Sequence, residues 1–437
     1  MFIAIILSLT QVALPGDTLH LPLQAAVERA HEFNPTLRAE RAEARVAAQG
    51  PLDASRAFLP TLRLGMRNVR TTDPVAVFGL KLRQENFAME DLALDVLNRP
   101  NAYTGFSSSA TVELPIFAPE GLFGYAAARR AAAARAAATE RAAGATTFFV
   151  KQAYWGAQLA ARQTEALAIA LETARSHVAQ AVALQQQGMV TGLDARLARV
   201  KAAELETHLL TATAQAANAL STLRAILALP DDTPIALADS LVGRGGLECV
   251  AMGDCDIANR GDLNALRLGR EAAAAMVKSA WAKNLPSLAL FGSFSYYGQS
   301  SPWGTGSGDW TLGVGVTWTL FSGLSGVGAV RRAKAKEQVT LARLEAAERE
   351  ARLEVVSARR MLNAAAQRVS VAETADTEAQ EALDQARLRY RTGASSITEL
   401  LDVQAATTST TLNLLASRHD LFVTQASLDF ALGVYDR

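Results

Sequence analysis

Cysteine, histidine and aromatic residues are scarce in this chain of 437 residues, and neither sign of charge is in excess. The two cysteines, Cys249 and Cys255, lie in CVAMGDC, and the five histidines (His20, His31, His177, His208 and His419) form no ligand spacing near them. Two thiols need two more ligands to hold zinc, so no metal and no cofactor is expected. The short spacing leaves two readings open, a small disulfide in an oxidising compartment or two free thiols. Aromatics at 6% beside 50% hydrophobic residues favour long helices packed closely through alanine over one large aromatic core. The 43 basic residues balance the 43 acidic ones, which argues against nucleic acid as a partner. A Ser/His/Asp arrangement and a phosphate-binding glycine loop are missing too, so no enzyme is expected. GVGVTWTLFSGLSG has the glycines but lies on a strand and in a turn, without a βαβ context.

Beyond the N-terminus no stretch approaches about 18 consecutive apolar residues free of charge, which argues against a membrane-spanning helix. The opening MFIAIILSLTQVALPGD reads as an imperfect signal peptide over 1–16. It has no early Lys or Arg and no strong small-x-small cleavage site. No cysteine stands near it to accept a lipid.

What is present is one plan used twice. From Asn34 the chain runs NPTL, a helix, FLPTLRLG, a loop, ATVELPIFAPEG and a very long helical region; from Asn259 it runs NRGDL, a helix, NLPSLALFG, a loop, GVTWTLFSG and another. Leu37 and Leu263 are 226 apart, as are Pro60 and Pro286, and farther on Gly188/Gly393 and Leu227/Leu432 are each 205 apart. The first repeat covers 17–227, the second 261–437, and the Pro, Gly and Asp clusters of 228–260 mark a linker.

Each repeat holds two period-two segments. TLRLGMRNV sets Leu62, Leu64 and Met66 against Arg63 and Arg67, and FSSSATVEL sets Phe106, Ala110, Val112 and Leu114 against Ser107, Ser109, Thr111 and Glu113. SLALFGSFSYY sets Leu288, Leu290, Phe294 and Tyr296 against serines. In TLGVGVTWTL, Leu312, Val314, Val316, Trp318 and Leu320 alternate with threonine and glycine. At about 9–11 residues each has the length of a tilted strand crossing a bilayer, and Tyr296, Tyr297, Trp303, Trp310 and Trp318 stand near strand ends. A soluble sheet with one wet face is the competing reading.

The helical regions decide between the two. No proline interrupts Pro119 to about Gln187 or Gly323 to about Arg391, and Ala, Leu, Arg, Glu and Gln fill both. Each would be ~100 Å long and must pack along its whole length, as coiled coils do. Shorter partners are predicted over 22–57, 194–227, 262–283 and 398–432.

This order resembles the TolC-like outer-membrane efflux channels, the outer membrane factors. The carrying motifs are Asn34-Pro35-Thr36-Leu37, Phe58-Leu59-Pro60, Leu114-Pro115-Ile116-Phe117 with Gly121, Leu320-Phe321-Ser322-Gly323, and Tyr390-Arg391-Thr392-Gly393 with Glu399 and Asp402. Four strands cannot close a barrel alone, so a protomer must contribute them to a symmetric assembly. The resemblance implies an α+β membrane protein: a homotrimer with one 12-stranded β-barrel in outer-membrane lipid, continuous with a long α-helical coiled-coil tunnel in the periplasm. It implies a passive exit duct of a tripartite efflux or type I secretion system, working with a periplasmic adaptor protein and an inner-membrane pump.

On the same resemblance, Glu399 and Asp402 ring a closed aperture, and Tyr390 and Asp194 match positions whose links hold the inner helix pair shut. Ser395 stands where an arginine would complete that network, with Arg391 as the available substitute. Gly188, Val190, Gly192 and Leu193 on one tip, with Thr392, Gly393 and Ser395 on the other, are the implied adaptor-docking positions. Read without the resemblance, Glu399 and Asp402 are first-turn acids favouring a helix N-terminus. The alternative function is a soluble or peripheral coiled-coil scaffold of the periplasm, which explains the helices and leaves the four strands without a role.

Overall fold

A computed structural model describes residues 18–241, 257–302 and 307–435. The signal segment 1–16, both cysteines and Trp303 lie outside the described residues. In chain order the elements are β1 (Leu19–Leu21), α1 (Leu23–Phe33), α2 (Pro35–Ala54), β2 (Thr61–Thr71), α3 (Pro74–Arg83), α4 (Leu94–Asn98), β3 (Tyr103–Phe117), α5 (Pro119–Gln186), α6 (Gly192–Ile226), β4 (Ile235–Leu237), α7 (Gly261–Ala282), β5 (Ser287–Gly298), β6 (Gly308–Thr317), α8 (Ser325–Arg391) and α9 (Ile397–Leu432). The proline-free runs become helices of 68 and 67 residues, within two residues of their sequence-read ends. None of the described helices is long and apolar enough to cross a membrane.

Two expectations need correction. Residues 22–57 are not one helix but two, because Asn34 turns extended (ψ 122°) ahead of Pro35, which disfavours helical geometry in the residue before it. Asn34 Oδ1 then accepts from Leu37 N–H at 3.1 Å, capping α2, while its Nδ2 donates to Ile226 C=O at 2.9 Å. The last strand stops at Thr317, so Trp318 and Leu320 lie beyond it; Trp318 Nε1 donates to Asn284 C=O at 3.0 Å. The linker holds β4, which pairs in parallel with β1, a contact that three-residue strands are too short to announce by periodicity.

The chain divides into two compact units, to both of which α2, α5, α7 and α8 contribute. One comprises Ala44–Ala136 and Ala265–Glu345 and contains a four-stranded antiparallel sheet of order β2-β3-β5-β6. Its register gathers Leu62, Leu64, Met66, Ala110, Val112, Leu288, Leu290, Phe294, Leu312, Val314 and Val316 onto one face. That face is uncovered in the protomer, with Leu64 78% and Val316 69% exposed. The opposite face carries Arg63, Arg67, Ser107, Ser109, Thr111, Glu113, Ser293 and Ser295. Phe291 also lies on it, opposite Gly313. A Cβ on Gly313 would fall 2.6 Å from the Phe291 ring, so glycine there makes room for an aromatic laid across the strand.

The other unit comprises the described parts of Met1–Glu43, Ala137–Asn264 and Ala346–Arg437. Its largest cluster packs Leu21, Ala26, Ala30, Val150, Tyr154, Trp155, Leu223, Leu227 and Leu241. The Tyr154 hydroxyl lies 2.9 Å from Leu21 C=O and 2.8 Å from Asp239 Oδ2, and accepts from Asp239 N–H at 3.2 Å. It thereby ties the β1–β4 pair to α5. Burial first, and the Asp239 carboxylate with it, push this phenol up to about 12.

Buried Arg260, 226 positions after Asn34, makes the matching clip: its guanidinium donates to Ala431 C=O at 3.0 Å, 205 positions after Ile226. It also meets Asp262 at 2.7 Å and Glu354 at 2.7 Å. Arg141 lies 3.6 Å from Asp262 and stacks over the Phe430 ring. Burial alone would raise the Asp262 carboxyl, but the Arg260 hydrogen bonds and the Arg141 charge hold it below the ordinary carboxylate value.

Candidate functional site

The two helix-turn-helix tips are built by one set of backbone bonds. α5 ends at Gly188, φ 73°, where Gly188 N–H reaches Gln185 C=O at 3.0 Å and Met189 N–H reaches Leu184 C=O at 3.0 Å. α8 ends at Gly393, φ 72°, with Gly393 N–H on Tyr390 C=O at 3.1 Å and Ala394 N–H on Arg389 C=O at 2.8 Å. Both are Schellman closures, which require the left-handed residue that glycine supplies without a Cβ penalty. Three residues after each glycine comes a helix cap. Thr191 heads α6, with its N–H on the Asp194 carboxylate at 3.3 Å; Ser396 heads α9, with its Oγ accepting from Glu399 N–H at 3.2 Å. S/T-x-x-D/E is the capping-box pattern, so Asp194 and Glu399 both have a local structural task.

Exposure at the tips is apolar on one side. Met189 is exposed, and Leu193, Leu197 and Val200 form an exposed i, i+4, i+7 stripe at the start of α6. Val190 and Gly192 are half-buried beside it, Thr392 and Gly393 are exposed, and Ser395 is half-buried.

The acids are not equivalent. Arg389 Nη1 meets Glu399 at 2.9 Å across the α8–α9 turn, whereas Asp402 is exposed and has no partner among the described residues. Arg391 is exposed; the cation brought to Glu399 is Arg389, two residues earlier. Tyr390 is buried against Leu383, Ala386, Ile397, Leu400 and Leu401, and neither its Oη nor Ser395 Oγ has a hydrogen-bond partner among the described residues. Burial first, then the charge of Asp194, hold the Tyr390 phenol above its ordinary value. The structure thus brings Tyr390 and Asp194 into electrostatic range without a direct bond.

Sequence reasoning missed two groups here. Arg389 reaches Glu399 only because the turn reverses the chain, so no helical spacing signals the pair. His177 on α5 is buried, and burial, then the Arg387 charge, lower its pKa while the Gln404 amide works against them. Among the described residues, its Nε2 and Gln404 Oε1 both lack a hydrogen bond of normal geometry. A histidine and a glutamine at otherwise aliphatic positions were the only available signal.

Comparison with curated protein sequences gives no match. Comparison with solved structures gives likeness over nearly the whole chain at low identity. The outer membrane protein VceC of Vibrio cholerae matches with TM-score 0.78 and 20% identity, covering 94% of this chain and 96% of its own. A structure of CusC, described in terms of conformational changes accompanying folding and transmembrane channel formation, matches with TM-score 0.80 and 18% identity, covering 97% and 95%. The open state of the MtrE outer membrane channel of Neisseria gonorrhoeae matches with TM-score 0.73 and 19% identity, covering 94% and 88%. These likenesses establish the fold. The profile of the outer membrane efflux proteins matches residues 26–229 and 256–434, most of the chain and both of its long-helix regions, and so the chain belongs to the outer membrane efflux protein family.

Proposed function

We propose that three copies of the four-stranded sheet close edge to edge into a 12-stranded barrel in the outer membrane, continuous with a helical tunnel that reaches into the periplasm. The observation that carries this reading is the sheet itself. It has one predominantly apolar, exposed face, one face dominated by serine, threonine, glycine and arginine, and outer strands β2 and β6 each with one edge unpaired within the protomer. Open edges are not tolerated in lipid, so β2 of one copy must meet β6 of the next. The apolar face then meets lipid and the polar face lines a water-filled passage.

Transport through such a passage is passive, with no chemical change to the cargo. The closed end lies at the tips, where three copies of Asp402, and of Glu399 beyond its pairing with Arg389, converge on the axis. Like charges gathered there repel one another and attract cations. Tyr390 and Asp194 hold the α8–α9 pair against α5–α6. The periplasmic adaptor docks on Gly188, Val190, Gly192, Leu193, Thr392, Gly393 and Ser395 and couples the duct to an inner-membrane pump. The two repeats, 17–227 and 261–437, supply matching halves of each protomer, with 228–260 joining them midway.

The test is membrane fractionation of cells expressing the full chain, mild-detergent extraction, and mass determination of the extracted assembly. A trimer from the outer membrane that conducts ions in a planar bilayer is expected. A folded, exported protein recovered entirely in the soluble fraction defeats the barrel.

A further inference from the structure

The segment between β2 and β3 does more than join them. Residues 72–102 hold α3 and α4, and buried Val77 with the more exposed Phe78, Phe87 and Leu97 lines a pocket of about 290 Å³. Asp73 caps α3 through Val75 N–H at 3.1 Å, with Pro74 at its first position. Phe78 and Phe87 pack edge to face with centroids 5.0 Å apart, and Lys81 pairs with Asp91.

Its direction is set by five contacts, four of them to Tyr103, Gly105 and Tyr297 on one face of the sheet and the fifth to the backbone of Gly298. A Cβ on Gly105 would fall 2.7 Å from Leu80 Cδ2 and 2.9 Å from Gln84 Nε2, so α3 lies against β3 where glycine permits the approach. Gln84, 5% exposed, accepts from Tyr103 Oη at 2.8 Å and donates to Gly298 C=O at 3.0 Å. The Arg83 guanidinium stands 5.2 Å from the centre of the Tyr297 ring, and Lys81 Nζ lies 5.4 Å from that of Tyr103. Tyr103 and Gly105 alternate in step with Ser107, Ser109 and Thr111, and Tyr297 is the register partner of Ser107. α3 therefore covers the polar face, at the end of the strands away from the long helices.

We propose that α3 and its supporting turns form a lid over the outer end of the duct, a size filter on departing cargo separate from the periplasmic tips. The proposal rests on the polar face being the lumen wall. In a closed barrel a segment on that face lies inside the mouth, and every copy contributes one. Gln84 and Arg83 hold it down from the helix side, and Gly105 accepts it from the strand side.

The lid is tested independently of the tips by chemical access from outside intact cells. In a chain with Cys249→Ser and Cys255→Ser, Ser109→Cys places a thiol on the polar face about 13 Å along β3 from Gly105. Small and bulky membrane-impermeant maleimides are then compared. The small reagent is expected to label the parent and the bulky one to label it poorly. Arg83→Ala with Gln84→Ala removes the clips, and bulky labelling rises about tenfold. Gly105→Val displaces α3 from the strand side and has the same effect, so the result does not depend on one variant folding. Bulky labelling unchanged in both variants, with small-reagent labelling intact, overturns the lid and leaves the duct standing. No labelling of the parent by the small reagent overturns the lumen assignment and the lid with it.

Discussion

Positions 228 and 433 are 205 apart, the separation of the two tip glycines, and both follow a return helix in left-handed geometry, Ala228 at φ 50° and Gly433 at φ 75°. Their bonds correspond: Ala228 N–H to Ala225 C=O at 3.3 Å and Leu229 N–H to Arg224 C=O at 2.9 Å, against Gly433 N–H to Phe430 C=O at 3.1 Å and Val434 N–H to Asp429 C=O at 2.9 Å. An L-residue in this region carries about 1–2 kcal/mol of strain. Glycine removes the strain but loses about 0.5–1 kcal/mol to the greater freedom of its unfolded chain. Because Ala228 is exposed, its methyl contributes little packing, and Ala228→Gly is expected to stabilise by about 0.5–1 kcal/mol. Gly433→Ala runs the other way. It acquires the strain and sets a Cβ 3.2 Å from Arg260 Cα and Cγ, in a backbone pinned by the Arg260–Ala431 bond, for a loss of about 1–3 kcal/mol. Denaturant unfolding of the detergent-solubilised protein, followed by helical circular dichroism, reads both as midpoint shifts at unchanged slope. Opposite signs are expected. Shifts of the same sign would refute the argument that backbone geometry decides these two positions.

Three further outcomes follow from particular groups. Arg389→Ala breaks a half-exposed ion pair and should change stability by less than about 1 kcal/mol. It should also strengthen block of channel current by multivalent cations, because Glu399 loses its partner; unchanged block in bilayer recordings removes Glu399 from the aperture. The folded-state pKa of Asp262 lies below its unfolded value near 3.9, so its ion pairs contribute stability above that pH and lose it as pH falls through the folded value. Asp262→Asn should flatten this acid limb of the stability profile, and an unaltered limb counts against the Arg260–Asp262–Arg141 network. Tyr154→Phe leaves Asp239 N–H without its acceptor and takes one of two donors from the Asp239 carboxylate, which keeps Leu23 N–H at 2.7 Å, and should cost about 1–3 kcal/mol, measured by the same unfolding assay. A change within experimental error would mean the hydroxyl does not tie β1 and β4 to α5.

The local features were legible because their causes are local. Alternation of Leu312, Val314 and Val316 with threonine and glycine specifies a two-faced strand whatever lies beside it. Proline-free stretches rich in helix formers specify α5 and α8 almost to the residue, and a glycine followed three positions later by Thr191 or Ser396, then by Asp194 or Glu399, specifies a helix stop and restart. Asn34 was legible as a motif but not as a break, since capping α2 and clipping Ile226 C=O are separate tasks that only the folded chain assigns to one side chain. The candidate tip residues could be named, but Arg389 could not be matched to Glu399, nor His177 to Gln404.

What the sequence by itself determined is therefore the parts list and its doubling: strand faces, long helices, and turns with their caps, all set by steric preference and periodicity within a few residues. Tertiary structure alone decided which distant groups meet. It paired β1 with β4 across more than two hundred residues, gave Arg260 the clip that Asn34 makes elsewhere, left Ala228 strained where its counterpart is glycine, and folded α3 back onto the polar face. Each outcome depends on through-space distance and burial between segments far apart in the chain, and periodicity within one segment carries no information about the neighbour it will find.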